Sequence, residues 1–128
     1  MAQSEHLPIY KAAFDLLLNI EKIAAKFSRS NKFIYGTDLR NKAKDVIMLI
    51  VRANNVLNKC PILEEMRIQL EELKVIVRIC MEIKAFPNFN SFEILINQIV
   101  EIAKQNEGWI RSLSKRSGQN YQPMHPKG

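Results

Sequence analysis

The strongest constraint on the fold of this chain is that apolar residues recur at helical spacing through four long segments. The first segment runs from about Pro8 to Phe27. Pro8 suits the first position of a helix, because the N–H that proline lacks would have no helical partner there. Only four glycines occur in the chain, which favours long helices over strands joined by tight turns. At about 100° per residue, one side of this first helix collects its apolar residues, namely Ile9, Ala13, Leu16, Leu17, Ile20, Ile23, Ala24 and Phe27.

The second segment is predicted to be a helix from near Asp38 to Asn58. Its centre, VIMLIV at residues 46–51, has six apolar residues in succession and by itself fits a buried strand equally well. The apolar pattern continues without a break through Ala43 and Ala53, which favours a helix. The preceding FSRSNK is polar and basic, so we expect it to form a connection.

Proline and asparagine mark the starts of the last two helices. Cys60 and Pro61 begin a third helix that is predicted to end at about Ala85. Asn90 is predicted to cap the fourth helix, because Glu93 follows it at the spacing of a capping box. The apolar face of this fourth helix comprises Phe92, Leu95, Ile96, Ile99, Ile102, Ala103, Ile110 and Leu113.

These segments predict an all-α protein, an up-down antiparallel four-helix bundle with short connections. We assign residues 1–113 to the bundle domain. Residues 114–128 are polar, basic and contain Pro and Gly, so they are predicted to be a flexible tail.

The third helix carries more apolar surface than one bundle can cover. Five charged residues between Arg67 and Glu82 cluster within about 80° of its circumference, and apolar residues occupy most of the remaining arc. A corner helix needs an apolar stripe only somewhat wider than about 100°. Excess apolar surface is typical of an interface, so we predict a homo-oligomer with contacts on helices two and three. A tightly packed monomer remains the alternative.

The charged stripe of the third helix has two interpretations. Arg67 with Glu71, and Arg78 with Glu82, are i,i+4 pairs that fit a solvated, salt-bridged face. Lys74 and Arg78 are like charges at the same spacing, and an acidic partner or a phosphate backbone would offset their mutual repulsion. The stripe is therefore either a solvent-facing surface or a binding site.

The overall charge agrees with a polyanionic partner. The net charge is +6, and the second helix adds Arg40, Lys44 and Arg52 as further candidate binding residues. An oligomer would multiply this charge into a field that favours RNA or DNA. Base-specific recognition is not indicated, because no helix-turn-helix, RNP or KH motif occurs.

Catalytic and metal-binding patterns are missing from the sequence. His6 and His125 lie near the two ends, and Cys60 and Cys80 belong to no Cys/His cluster. No GxSxG, P-loop, GxGxxG or HExxH motif is found. We therefore expect a non-enzymatic protein without metal or cofactor. The N-terminus lacks the layout of a signal peptide, and no apolar run of about 18 residues occurs, so we expect a cytoplasmic protein without a membrane partner.

Four stretches together resemble a known family. They are LPIYKAAFDLLLNIEKIAAKF (7–27), LIVRANN (49–55), LEELKVIVRICMEIK (70–84) and EGWIRSL (107–113). Their order and spacing are similar to those of the accessory variability determinant of diversity-generating retroelements. The four-helix proteins encoded in intervening sequences of ribosomal RNA genes are relatives of that family.

The resemblance implies a homopentameric, barrel-like ring of four-helix bundles with a positively charged surface. It implies a partner, the reverse transcriptase of the retroelement, and binding of RNA or DNA during mutagenic copying of template RNA into cDNA. It places the basic pair of the third helix at Lys74 and Arg78. It places the glycine-tryptophan pair of the fourth helix at Gly108 and Trp109, for which we predict a packing role. A structural or general nucleic-acid-binding role of the intervening-sequence type stays open.

Overall fold

A computed structural model describes residues 3–117, and within them four long helices form the bundle. These are α1 (Pro8–Ala24), α2 (Thr37–Asn54), α3 (Cys60–Glu82) and α4 (Phe89–Ser117). Each helix packs against the next along the chain, and α4 returns to pack against α1. Because short connections join helices that pack against each other, neighbouring helices run antiparallel. The all-α prediction is confirmed.

The core follows directly from the apolar spacing. In α3 the buried apolar positions alternate steps of three and four residues, which keeps them on one line facing the other helices. Burying one such side chain contributes about 1.5–3 kcal/mol relative to leaving it exposed. The line consists of Leu63, Met66, Leu70, Leu73, Val77 and Cys80.

Most of the apolar run in α2, VIMLIV at residues 46–51, is buried within the single chain. Val46, Ile47, Leu49 and Ile50 are buried, and Met48 is the strongly exposed member of the run. The reason is that α2 packs against both α1 and α3. The expected apolar excess on the second helix is therefore reduced to Met48 and the partly exposed Val51, with exposed Leu57 beyond the end of α2 at Asn54.

The chain enters α2 through helical turns rather than through the polar connection expected from FSRSNK. Ser28 caps a short helix, Arg29–Asn31, by accepting a hydrogen bond from the backbone N–H of Asn31 at 3.3 Å. A π-helical turn, Lys32–Gly36, follows and leads directly into α2. Helical backbone thus begins well before the predicted start at Asp38.

Backbone groups beyond α3 form a Schellman motif. The N–H of Ala85 donates to the carbonyl of Cys80 at 2.9 Å, and the N–H of Lys84 donates to that of Met81 at 3.1 Å. Lys84 has a φ of 59°, a left-handed conformation that costs a residue with a Cβ about 1–2 kcal/mol.

We expect Lys84→Gly to raise the free energy of unfolding by about 0.5–1 kcal/mol, because glycine adopts this conformation without strain. Urea denaturation would measure the change as a shift in midpoint. Lys84→Ala removes the same charge and keeps the Cβ, so it is the matched control. Equal midpoints for the two variants would contradict the expectation.

The boundaries of α4 differ from the predicted ones. Asn88, not Asn90, caps the helix: its Oδ1 accepts hydrogen bonds from the backbone N–H of Ser91 at 2.9 Å and from Ser91 Oγ at 3.1 Å. The helix continues to Ser117, four residues beyond the end of the predicted apolar pattern. The rest of the predicted tail, 118–128, lies outside the described residues.

Candidate nucleic-acid interface

A groove between α3 and α4 gathers cationic side chains from both helices. Its volume is about 430 Å³. Four cationic and two carboxylate side chains line it, so its lining carries a net positive charge. The cations are Arg67, Lys74, Lys104 and Arg111, and the carboxylates are Glu71 and Glu107.

Arg67 is held by carboxylates from both helices. Its Nε and Nη2 donate to the two carboxylate oxygens of Glu107 at 2.7 and 2.6 Å, a bidentate geometry. Its Nη1 donates to Glu64 Oε1 at 2.5 Å, and Glu64 is only 4% exposed. Arg67 therefore links α3 to α4 through its ion pairs with Glu64 and Glu107.

Lys74 and Arg78 differ in their surroundings although they are one turn apart on α3. Lys74 Nζ lies 2.8 Å from Glu71 Oε1, and this carboxylate offsets the repulsion between Lys74 and Arg78. Arg78 is exposed, lies outside the groove lining, and forms no ion pair with Glu82 or with any other carboxylate of residues 3–117. Lys74 is thus a lining residue, and Arg78 is a cation beside the groove with no carboxylate partner in the described part of the chain.

The candidate residues on α2 lie on other surfaces of the bundle. Arg40 Nε is 3.1 Å from Glu21 Oε1 of α1, an ion pair without hydrogen-bond geometry. Lys44 and Arg52 are exposed on α2, one turn before and one turn after Met48. The six predicted cations therefore do not form one site.

Lys104 and Arg111 contribute a cationic strip on α4 that sequence reasoning missed. Together with Lys115, which is also exposed, they follow the helical spacing i, i+7 and i+11. Neither Lys104 nor Arg111 pairs with a carboxylate of the described residues. The spacing of Lys104 and Arg111 can be read from the sequence. Only the structure shows that they line the same groove as Arg67 and Lys74.

Gly108 interrupts this strip and leaves backbone accessible. A Cβ at this position would meet only Arg111 Nη2, at 4.0 Å. No neighbouring element of the described chain packs closely on it. Trp109 points away from the strip: it is half-buried against the core and lines a cavity with Leu7 and Pro8.

The groove also contains one buried acceptor without a hydrogen bond. Asn106 is fully buried, and its Nδ2 donates to the carbonyl of Leu63 at 3.0 Å. Its Oδ1 has no partner among the described residues. An unpaired buried polar atom costs roughly 1–3 kcal/mol, so a donor from water or from a ligand would stabilise this position.

Two further features of the described residues concern cysteine and possible metal ligands. Cys80 is buried, and burial, with a smaller contribution from Asp38, raises the pKa of its thiol to about 11. Within residues 3–117 no three His, Cys, Asp or Glu side chains are grouped closely enough to hold a metal ion. None of the helices in this range combines the length and apolar character needed to cross a bilayer.

No protein-family model matches the chain, and no curated protein matches it in sequence. The groove, the exposed surfaces and the family resemblance are therefore the grounds for the function proposed below.

Proposed function

We propose that this chain is a non-enzymatic, oligomeric protein that binds the phosphate backbone of RNA or DNA. In this role it would serve as the accessory protein of a diversity-generating retroelement, binding the reverse transcriptase and supporting mutagenic reverse transcription. The observation that carries the nucleic-acid part is the convergence of α3 and α4 cations on one groove. The reverse transcriptase as partner follows from the family resemblance.

The free cations on α4 are the best candidates for phosphate contacts. Arg67 and Lys74 are already engaged by Glu107 and Glu71, whereas Lys104 and Arg111 are exposed and unpaired among the described residues. Phosphate binding by unpaired cations does not require an existing ion pair to break. Gly108, between them, would let a phosphate approach the helix closely.

An apolar stripe on the outer face of α3 supports the oligomer. Val75, Ile79 and Ile83 repeat at i, i+4 and i+8, and all three are exposed in the single chain. We propose that this stripe contacts a neighbouring copy, because exposed apolar patches are typical of interfaces. The resemblance implies a pentameric ring, and in such a ring the cationic groove would be repeated once in each subunit.

A second candidate is an oligomer of the intervening-sequence type with a structural role. It is favoured by the ion pairs that already neutralise Arg67 and Lys74 in the groove. A reverse-transcriptase gene beside the gene for this chain would support the retroelement role. A position inside a ribosomal RNA operon would support the second candidate.

We expect the double variant Lys104→Ala/Arg111→Ala to weaken binding of a short DNA duplex and to reduce the steepness of its salt dependence. Each phosphate contact contributes about one unit to the slope of log affinity against log salt. The slope should therefore fall by about two. Fluorescence anisotropy of a labelled duplex, titrated between about 50 and 200 mM salt, would measure it.

Lys11→Ala/Lys22→Ala is the matched control, since it removes the same charge from exposed positions on α1. It should leave the slope nearly unchanged. The variant Lys74→Ala/Arg78→Ala tests the two residues singled out by the sequence. A parent protein with no salt-dependent affinity would contradict nucleic-acid binding and favour the structural role.

A further inference from the structure

The π-helical turn before α2 presents two apolar side chains to solvent. Phe33 is 82% exposed and Ile34 is 51% exposed, so the fold of the single chain makes little use of either. π-helical turns are rare and occur frequently at functional sites. This turn is on a different part of the molecule from the groove between α3 and α4.

Cations surround these two side chains. Arg29, Lys32 and Arg40 line a recess of about 600 Å³ together with Phe33 and Ile34. Arg29 and Lys32 are exposed and pair with no carboxylate of the described residues. The recess therefore combines an aromatic ring with unneutralised positive charge, and this combination fits an anionic ligand that has a flat apolar part.

Phe33 is also separate from the aromatic cluster at its end of the bundle. Phe27 contacts Phe86 with ring centroids 5.6 Å apart, and Phe86 contacts Phe92 at 6.1 Å. Phe89 contacts Phe92 at 5.6 Å. Phe33 has no such ring contact within residues 3–117, so its ring faces remain available to a ligand.

We propose that the Phe33 recess binds single-stranded RNA or DNA by stacking an unpaired base on the Phe33 ring. Phosphates on either side of that base would meet Arg29 and Lys32. Single-strand binding sites combine cations that follow the backbone with aromatic rings that stack the bases. The inference rests on the proposed nucleic-acid function and adds a second site, selective for unpaired nucleotides.

Size and chemistry favour this ligand over the alternatives. A stable protein interface buries about 800 Å² on each partner, whereas Phe33 and Ile34 offer only two apolar side chains. One ring is sufficient to stack one base. The bases of a duplex already stack on each other, so a duplex would use the cations of the recess but not the ring.

The test compares single-stranded and duplex binding in variants of Phe33. Phe33→Leu keeps an apolar side chain and removes the aromatic face. We expect it to weaken binding of labelled oligouridylate by about tenfold and to leave the affinity for a DNA duplex unchanged. Phe33→Trp should retain oligouridylate binding. Its fluorescence should be quenched by oligouridylate beyond any quenching of the parent, whose single tryptophan is Trp109.

Phe14→Leu is the matched control, because Phe14 is an exposed phenylalanine on α1. It should change neither affinity. Equal oligouridylate affinity of Phe33→Leu and the parent would overturn the inference and would favour a protein partner for the recess. In that case, steeply salt-dependent duplex binding by the parent and by Phe33→Leu would still support the proposed function. A parent that bound neither nucleic acid would overturn both proposals.

Discussion

Replacing Arg67 by Ala is expected to lower the free energy of unfolding by about 3 kcal/mol. Arg67 is the cation that faces the buried carboxylate of Glu64 and binds both oxygens of Glu107. Removing it takes a cationic partner from the buried Glu64 carboxylate and releases a link between α3 and α4. Urea denaturation monitored by circular dichroism would measure the loss.

Two further variants separate this effect from a general change in charge. Glu64→Gln, combined with Arg67→Ala, should recover part of the loss, because a neutral amide is less costly to bury than a carboxylate. Lys74→Ala removes a cation whose partner Glu71 is largely exposed, so it should cost less than about 1 kcal/mol. Equal urea midpoints for Arg67→Ala and Lys74→Ala would contradict the structural role of Arg67.

The double variant Val75→Lys/Ile79→Lys is expected to convert the proposed oligomer into a monomer of about the chain mass, 14.8 kDa. Each copy would place two cations in the apolar contact, and burying unpaired charge costs several kcal/mol. Both residues are exposed in the single chain, so the fold of the subunit should be retained. Size-exclusion chromatography with light scattering would give the mass.

The control places the same charges on another exposed apolar pair, on α1. Phe14 and Leu18 are one turn apart on α1 and are about as exposed as Ile79 and Ile83. Phe14→Lys/Leu18→Lys should leave the assembly intact. A monomeric parent would contradict the proposed oligomer. If the α1 variant were monomeric and the α3 variant were not, the interface would have to be on α1.

The helices and the core could be predicted because their signal is local. The predicted apolar face of α1 includes Ile9, Leu16 and Ile20, and the structure buries all three. The spacing on α3 was less decisive, because apolar residues cover most of its circumference and only the packing shows which of them are buried. The VIMLIV run was more ambiguous, since six successive apolar residues cover every direction and only the packing of α2 shows that Met48 is the exposed one.

The groove could not be predicted in the same way, because it depends on contacts between distant segments. Arg67 and Glu107 are forty residues apart, and an i,i+4 rule assigns Arg67 to Glu71 instead. The sequence pattern did not predict the π-helical turn, for a different reason. Phe33 and Ile34 are apolar but face solvent, so they interrupt the amphipathic pattern that would have revealed helical backbone before α2.

The two thiols lie at opposite ends of α3, with consequences for covalent assembly. Cys60 begins the helix and Cys80 is near its end, and twenty helical residues span about 30 Å. Disulfide formation requires Cα atoms within about 7 Å, so the folded chain cannot close an internal bridge. Cys80 is buried as well, which leaves Cys60 as the accessible thiol. Oxidation of the native protein can therefore join two copies of the chain, but it cannot link more copies into one covalent polymer.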